Sequence, residues 1–175
     1  MNEEWELQAR KEGAEYFDED FTSLSDKNKY KHEMYLNTGF WWFRSHKKQI
    51  LIFTSNIAST EYLYDVIKEG TNAKIFYNKI SDTINFEELK EYYKDSDISF
   101  IKIDYIPEKK VPFYTKKGKR IPYSTLVLAG DNTIIFDNKE LGLKRDAHGD
   151  KRVYRIKDKD IFKEIFEKFE IWFYI

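Results

Sequence analysis

The stretch from Gln49 to Asn78 constrains the fold most. It opens on Gln49-Ile-Leu-Ile-Phe-Thr-Ser-Asn56, whose apolar run at 50–53 is β-branched and aromatic and too short for a helix core. Leu63, Val66 and Ile67 then recur at helical spacing until Glu69-Gly70 breaks the pattern, and Ala73-Lys-Ile-Phe-Tyr-Asn78 is a second strand-like run. Strand, short polar loop, helix and strand make a βαβ unit. The strands of such a unit are buried on both faces, so they need not alternate apolar with polar.

Composition sets the limits around that unit. A chain of 175 residues is expected to form one domain with a sizeable core. Its 31 acidic and 30 basic side chains leave a formal net charge of -1, which argues against a surface given over wholly to nucleic acid but allows a local basic patch. With 13 Tyr, 14 Phe and 4 Trp, aromatic side chains supply much of the core, and some Tyr are left to face a ligand or partner. The absence of cysteine excludes disulfides, thiolate metal sites and cysteine nucleophiles. Met1-Asn-Glu-Glu-Trp-Glu does not read as a leader and no apolar run approaches a membrane span, so a cytoplasmic location is expected.

Along the chain, residues 3–20 carry eight acidic side chains against Arg10 and Lys11, with Trp5, Leu7, Ala9, Ala14, Tyr16 and Phe17 in a loose amphipathic pattern. Residues 1–43 are therefore expected to form a helical N-terminal extension packed on an α/β domain at 44–175, and the acidic helix is an alternative docking arm for a basic partner. The aromatic cluster at 35–43 reads as core. After the βαβ unit, Asp82 or Asn85 could cap a helix, Glu88 completing a capping-box spacing with Asn85, and 98–103 is a third strand. Residues 124–129 and 133–136 flank Gly130-Asp-Asn132, the clearest hairpin signal in the chain. A short strand at 153–156 and an amphipathic helix over 158–172, with Ile161, Phe162, Ile165, Phe166 and Phe169 on one stripe, complete the domain. The apolar tail Trp172-Phe-Tyr-Ile175 would be tucked away, against the body or in a homodimer.

Several groups are candidates for chemistry. In a parallel α/β sheet, ligands sit beyond the carboxyl ends of the strands, which nominates Thr54, Ser55, Asn56, Tyr77, Asn78 and Asp104 for a small polar or anionic ligand. His46 and Lys48, just before the first core strand, form a His-x-Lys spacing that Asp104 would orient in a phosphodiester or nucleotide hydrolase. Asp146, His148 and Asp150 alternate around Gly149 as candidate ligands for a divalent ion. Residues 107–122 form a long loop or exposed hairpin carrying Lys109, Lys110, Lys116, Lys117, Lys119 and Arg120. Phe113, Tyr114 and Tyr123 interleave with these charges, the pattern of a nucleic-acid-binding or inhibitory surface. Neither a phosphate loop nor a dinucleotide fingerprint is present, and no cofactor is expected.

The run Lys48-Gln-Ile-Leu-Ile-Phe-Thr54, a helix ending near Lys68-Glu-Gly70, Ala73-Lys-Ile-Phe-Tyr77, the strand at 98–103 and the hairpin Leu126-Val-Leu-Ala-Gly-Asp-Asn-Thr-Ile-Ile-Phe136 together resemble the phospholipase D-like superfamily in single-copy form, over residues 44–172. The resemblance implies a mixed β-sheet sandwiched by helices, with a late β-hairpin. Active members of that superfamily cleave or transfer phosphodiesters through the histidine of a His-x-Lys motif at the start of a hairpin strand. If Asp131 matches the motif's aspartate, Ser124 and Leu126 stand where the histidine and lysine would be. His46 and Lys48 keep the mutual spacing but precede the first core strand, and Phe53 stands where their motif aspartate would fall. The resemblance thus implies the fold without the nucleophile, and the expectation is a non-enzymatic ligand-binding or regulatory domain.

Overall fold

The computed structural model describes residues 20–22, 29–31, 33–34, 49–67, 71–115, 120–130, 132–143, 154–157 and 159–171. Three short strands come first, β1 (Asp20–Thr22), β2 (Lys29–Lys31) and β3 (Glu33–Met34). The central unit follows as β4 (Ile50–Ile57), α1 (Leu63–Val66) and β5 (Ala73–Ile80), then α2 (Phe86–Tyr92) and β6 (Ile98–Lys102). Next come α3 (Pro107–Lys110), β7 (Phe113–Thr115) and β8 (Arg120–Ile121), and then the hairpin of β9 (Thr125–Ala129) and β10 (Thr133–Asp137). The last elements are β11 (Tyr154–Lys157) and α4 (Lys159–Lys168).

Seven strands form one mixed sheet in the order β3-β11-β10-β9-β4-β5-β6. Strands β4, β5 and β6 are mutually parallel, as the βαβ pattern requires, whereas β9 joins β4 antiparallel and opens an antiparallel half. A four-stranded antiparallel sheet, β2-β1-β7-β8, lies apart from it in pairing. The described parts of 1–43 are strands and not helix, a correction to the expected helical extension over those residues. Two- and three-residue strands carry no period of their own and exist through distant partners: β1 on β7, and β3 on β11. The rest of 1–48, including the acidic amphipathic pattern and the aromatic cluster, lies outside the described residues.

Successive residues of the central strands feed two cores, one on each face of the sheet. Leu51, Phe53, Phe76, Leu126, Leu128, Ile134 and Phe136 pack beneath Ile161, Ile165 and Phe169 of the α4 segment, together with Val111, Phe113 and Tyr123. On the opposite face Ile50, Ile52, Ile75, Tyr77, Val127 and Ile135 pack under Leu63 and Ile67 of the α1 segment and Leu89 and Tyr93 of the α2 segment. The mixed sheet therefore has helices on both faces. The expected α4 stripe is real: Ile161 and Ile165 are buried, and Phe162 and Phe166 pack partly buried against the same core.

Two reversals are specified locally. Asn132 adopts a φ of 65°, and its N–H donates to the Ala129 carbonyl at 3.0 Å, closing the turn between β9 and β10. Asn85 caps α2, its side-chain oxygen accepting from the N–H groups of Glu87 (3.1 Å) and Glu88 (3.2 Å).

Candidate functional site: the strand-end edge

Because β4, β5 and β6 are parallel, their carboxyl ends share one edge of the sheet. The start of β9 and the end of β10 arrive at the same edge, since Thr54, Thr125 and Asp137 are register partners across three strands. The edge has two parts with different chemistry.

In the first part, β4 runs on to Ile57, so Thr54, Ser55 and Asn56 lie within the strand and not beyond it. Thr54 is fully buried; its hydroxyl donates to the Asn56 carbonyl (3.0 Å) and lies 3.1 Å from the Thr125 hydroxyl. Thr125 in turn donates to the Lys139 carbonyl at 2.9 Å. The Asn56 amide donates to Glu140 Oε2 at 3.1 Å, and the Ser55 N–H donates to the Ser124 carbonyl at 2.9 Å. The segment leaving β10 crosses the start of β9 and is stitched to β4, with Leu141 N–H on the Asn56 carbonyl (3.2 Å) and Ala58 N–H on the Leu141 carbonyl (2.9 Å). Thr54 and Ser55 thus join β4 to the start of β9, and Asn56 joins it to the crossing segment. Asn56 Oδ1 and Asn138 Oδ1 are buried there with no donor among the described residues.

The second part is open. Tyr77 is buried within β5 and belongs to the core, a correction to its placement at a strand end. The Asn78 amide donates to the Ile103 carbonyl at 3.3 Å, and the Lys102 ammonium donates to the carbonyls of Asn78 and, at 3.4 Å, Ile103. These bonds tie β5 to the end of β6 and shape a cleft of about 360 Å³ lined by Lys102, Ile103, Asp104 and Tyr105. Asp104 is exposed on it. Tyr105 stacks on Phe169 with ring centroids 5.7 Å apart, and the Lys110 ammonium lies 4.1 Å from the Tyr105 ring centroid. Sequence reasoning selected Asn78 and Asp104 but missed Lys102 and Tyr105. The signal for both was their place beside Asp104 at the end of a strand.

The basic segment at 107–122 is a helical turn, α3, followed by the β7–β8 hairpin, with Tyr114 registered opposite Arg120. Lys109 and Lys110 are exposed. Arg120 is engaged by Glu108, through Nη2 to its carbonyl at 3.1 Å and Nε to its carboxylate at 3.4 Å. Phe113 and Tyr123, expected as stacking rings, are buried in the core and present no face to a base. The Tyr123 hydroxyl lies 2.9 Å from the Pro107 carbonyl and 2.6 Å from that of Val111. Burial, reinforced by Glu108 and opposed by Arg120, raises its pKa well above the ordinary value. Lys116, Lys117 and Lys119 lie outside the described residues.

The same is true of His46, Lys48, Asp146, His148 and Asp150, and of the tail at 172–175. Among the described residues no three His, Cys, Asp or Glu side chains come together as metal ligands, and no helix is long and apolar enough to cross a membrane. Ser124 sits partly exposed just before β9, and Leu126, two residues on, is fully buried among the core side chains that include Phe53 and Phe76. No family model matches the chain, and no significant match was found among curated proteins or solved structures.

Proposed function

We propose that this chain is a ligand-binding domain of the phospholipase D-like type without the catalytic pair, and that it holds a small phosphate-bearing molecule in the cleft at the end of β6. The cleft itself carries the reading. It lies at the carboxyl ends of parallel strands and combines a carboxylate, a tyrosine ring and the ammonium groups of Lys102 and nearby Lys110. Lys110 would neutralise the phosphate, Lys102 would fix the cleft floor, and Asp104 would accept from a ligand hydroxyl. A molecule bearing both anion and hydroxyls, such as a nucleoside or sugar phosphate, satisfies all three.

Kinship with the phospholipase D-like fold is supported by the parallel β4-β5-β6 run followed by a β9–β10 hairpin in the same sheet. Ser124 and Leu126, at the start of that hairpin, provide neither a nucleophilic imidazole nor a cation. Binding without turnover is the reading this pairing favours. The test is calorimetric titration of the full chain with a panel of nucleoside monophosphates and sugar phosphates, repeated with Lys110→Ala and Asp104→Asn. Micromolar to millimolar binding weakened by both substitutions is expected. Silence across the panel, or affinities that neither substitution changes, rejects the proposal.

A further inference from the structure

A second surface lies between α1 and α2, away from the β6 cleft. Tyr64 of α1 and Tyr92, the last residue of α2, stack with ring centroids 3.9 Å apart and an interplanar angle of 31°. Tyr93 supports the pair from below, its ring edge-on to Tyr92 at 4.8 Å and its hydroxyl donating to the Ile67 carbonyl at 2.5 Å. Tyr92 is 42% exposed, whereas Tyr93 is 2% exposed, so an exposed ring rests on a buried one. Asn85, Glu87, Glu88 and Glu91 complete an open groove of about 480 Å³, with a mostly apolar floor and a carboxylate rim.

The rim charges are available to a partner. Glu87 and Glu91 meet only exposed ion-pair partners on their own helix segment, Lys90 at 3.0 Å and Lys94 at 2.7 Å. Exposed pairs of this kind contribute about 0–1 kcal/mol and exchange readily. Glu88 has no ion-pair partner among the described residues. Burial raises the pKa of Tyr64, and neighbouring Tyr92 and Glu88 add to the effect.

We propose that this groove docks an arginine side chain from a basic segment of a protein partner. The guanidinium lies against the exposed part of the Tyr92 ring, beside Glu88 and Glu91. A planar guanidinium stacks on an aromatic face and forks to a carboxylate, which a compact ammonium does less well. With Glu87, Glu88 and Glu91 against Lys90 and Lys94, the rim keeps a net negative charge that disfavours nucleic acid and anionic lipid. Because the two rings stack on each other, they form a platform and leave no cage for a free organic cation. Residues flanking the arginine must therefore supply the remaining contacts, and this selects a polypeptide as the occupant. The inference is independent of the ligand proposed for the β6 cleft.

The test is fluorescence anisotropy of the full chain with a short labelled peptide of arginines spaced by glycine and serine, beside the same peptide with lysines. The arginine peptide is expected to bind more tightly. Tyr92→Ala, which leaves the charge unchanged, should weaken it about two- to fivefold, and Glu88→Gln should weaken it similarly. Asp95→Asn/Asp97→Asn, which removes two exposed charges outside the groove lining, should leave it unchanged. Absence of binding, equal affinity in Tyr92→Ala and Glu88→Gln, or an equal loss in the Asp95/Asp97 variant would each overturn the proposal, the last by showing that bulk acidity alone attracts the peptide.

Discussion

Gly142 holds the crossing segment against β4 by having no side chain. Its φ is +94°, and a Cβ built there would stand 1.8 Å from the Ser59 carbonyl oxygen, a backbone atom that cannot turn aside. Gly142→Ala is expected to lower stability by about 3 kcal/mol, read as a shift of the urea midpoint at constant slope. Tyr123 acts through its proton. That single hydrogen serves the carbonyls of Pro107 and Val111, so Tyr123→Phe should cost about 1–2 kcal/mol at neutral pH. The pH dependence follows from the raised pKa. The stability this phenol contributes is intact below its ordinary pKa of 10.0 and is lost as pH rises through the higher folded value. Alkaline unfolding should therefore be shallower in Tyr123→Phe than in the parent, and equal slopes would contradict the assignment. The hydroxyl was not legible in the sequence. Tyr123 follows a basic loop and reads as an exposed ring until Pro107, Val111, Phe113 and Phe136 are seen to pack around it.

Elements with a period of their own were legible, and elements without one were not. Strands β4, β5 and β6, the β9–β10 hairpin and α4 all follow from runs and stripes read directly from the chain. The capping of α2 was partly legible: Asn85 stands three residues before Glu88, but Asp82 offered the same chemistry. Asn85→Ala removes the acceptor for two amide groups and should destabilise the protein by about 1 kcal/mol, measurable by thermal unfolding, while Asn85→Asp should retain most of the stability. The end of β4 was misplaced for a physical reason. Thr54 and Asn56 have the polarity of a loop, but the Thr54 hydroxyl and the Asn56 amide and carbonyl meet Thr125, Glu140 and Leu141, residues more than 60 positions away in sequence. Thr54 and Asn56 thus take part in the sheet's own hydrogen bonding. Asn78 lies inside β5, and Asp104 lies just beyond β6, the strand at the sheet's edge, where the cleft opens.

At the scale of the molecule, one strand connects two cores. Phe53 stacks on Phe76 (centroids 4.5 Å apart) and on Phe169 (4.0 Å), while its neighbour Ile52 enters the core on the other face. Phe53→Ala should cost about 3–5 kcal/mol and Ile52→Ala about 2–5 kcal/mol. Both should move one and the same unfolding transition, followed by far-ultraviolet circular dichroism and by tyrosine and tryptophan fluorescence together. Probes that separate in either variant would show that the faces unfold independently.

The position of β4 also dictates when the protein can be finished. One neighbour, β5, is close along the chain, but the other is β9, whose Thr125 lies 71 residues beyond Thr54. On a ribosome, β4 and β5 emerge with the antiparallel flank of β4 still bare, an apolar strand edge able to recruit any other nascent strand. Only when the late hairpin is released does that edge close and the crossing segment lock over it. Closing so long a loop places refolding in the range of about milliseconds to seconds, slower than for a helical protein of this size, and it makes the interval before β9 arrives the moment at which a chaperone has most to protect.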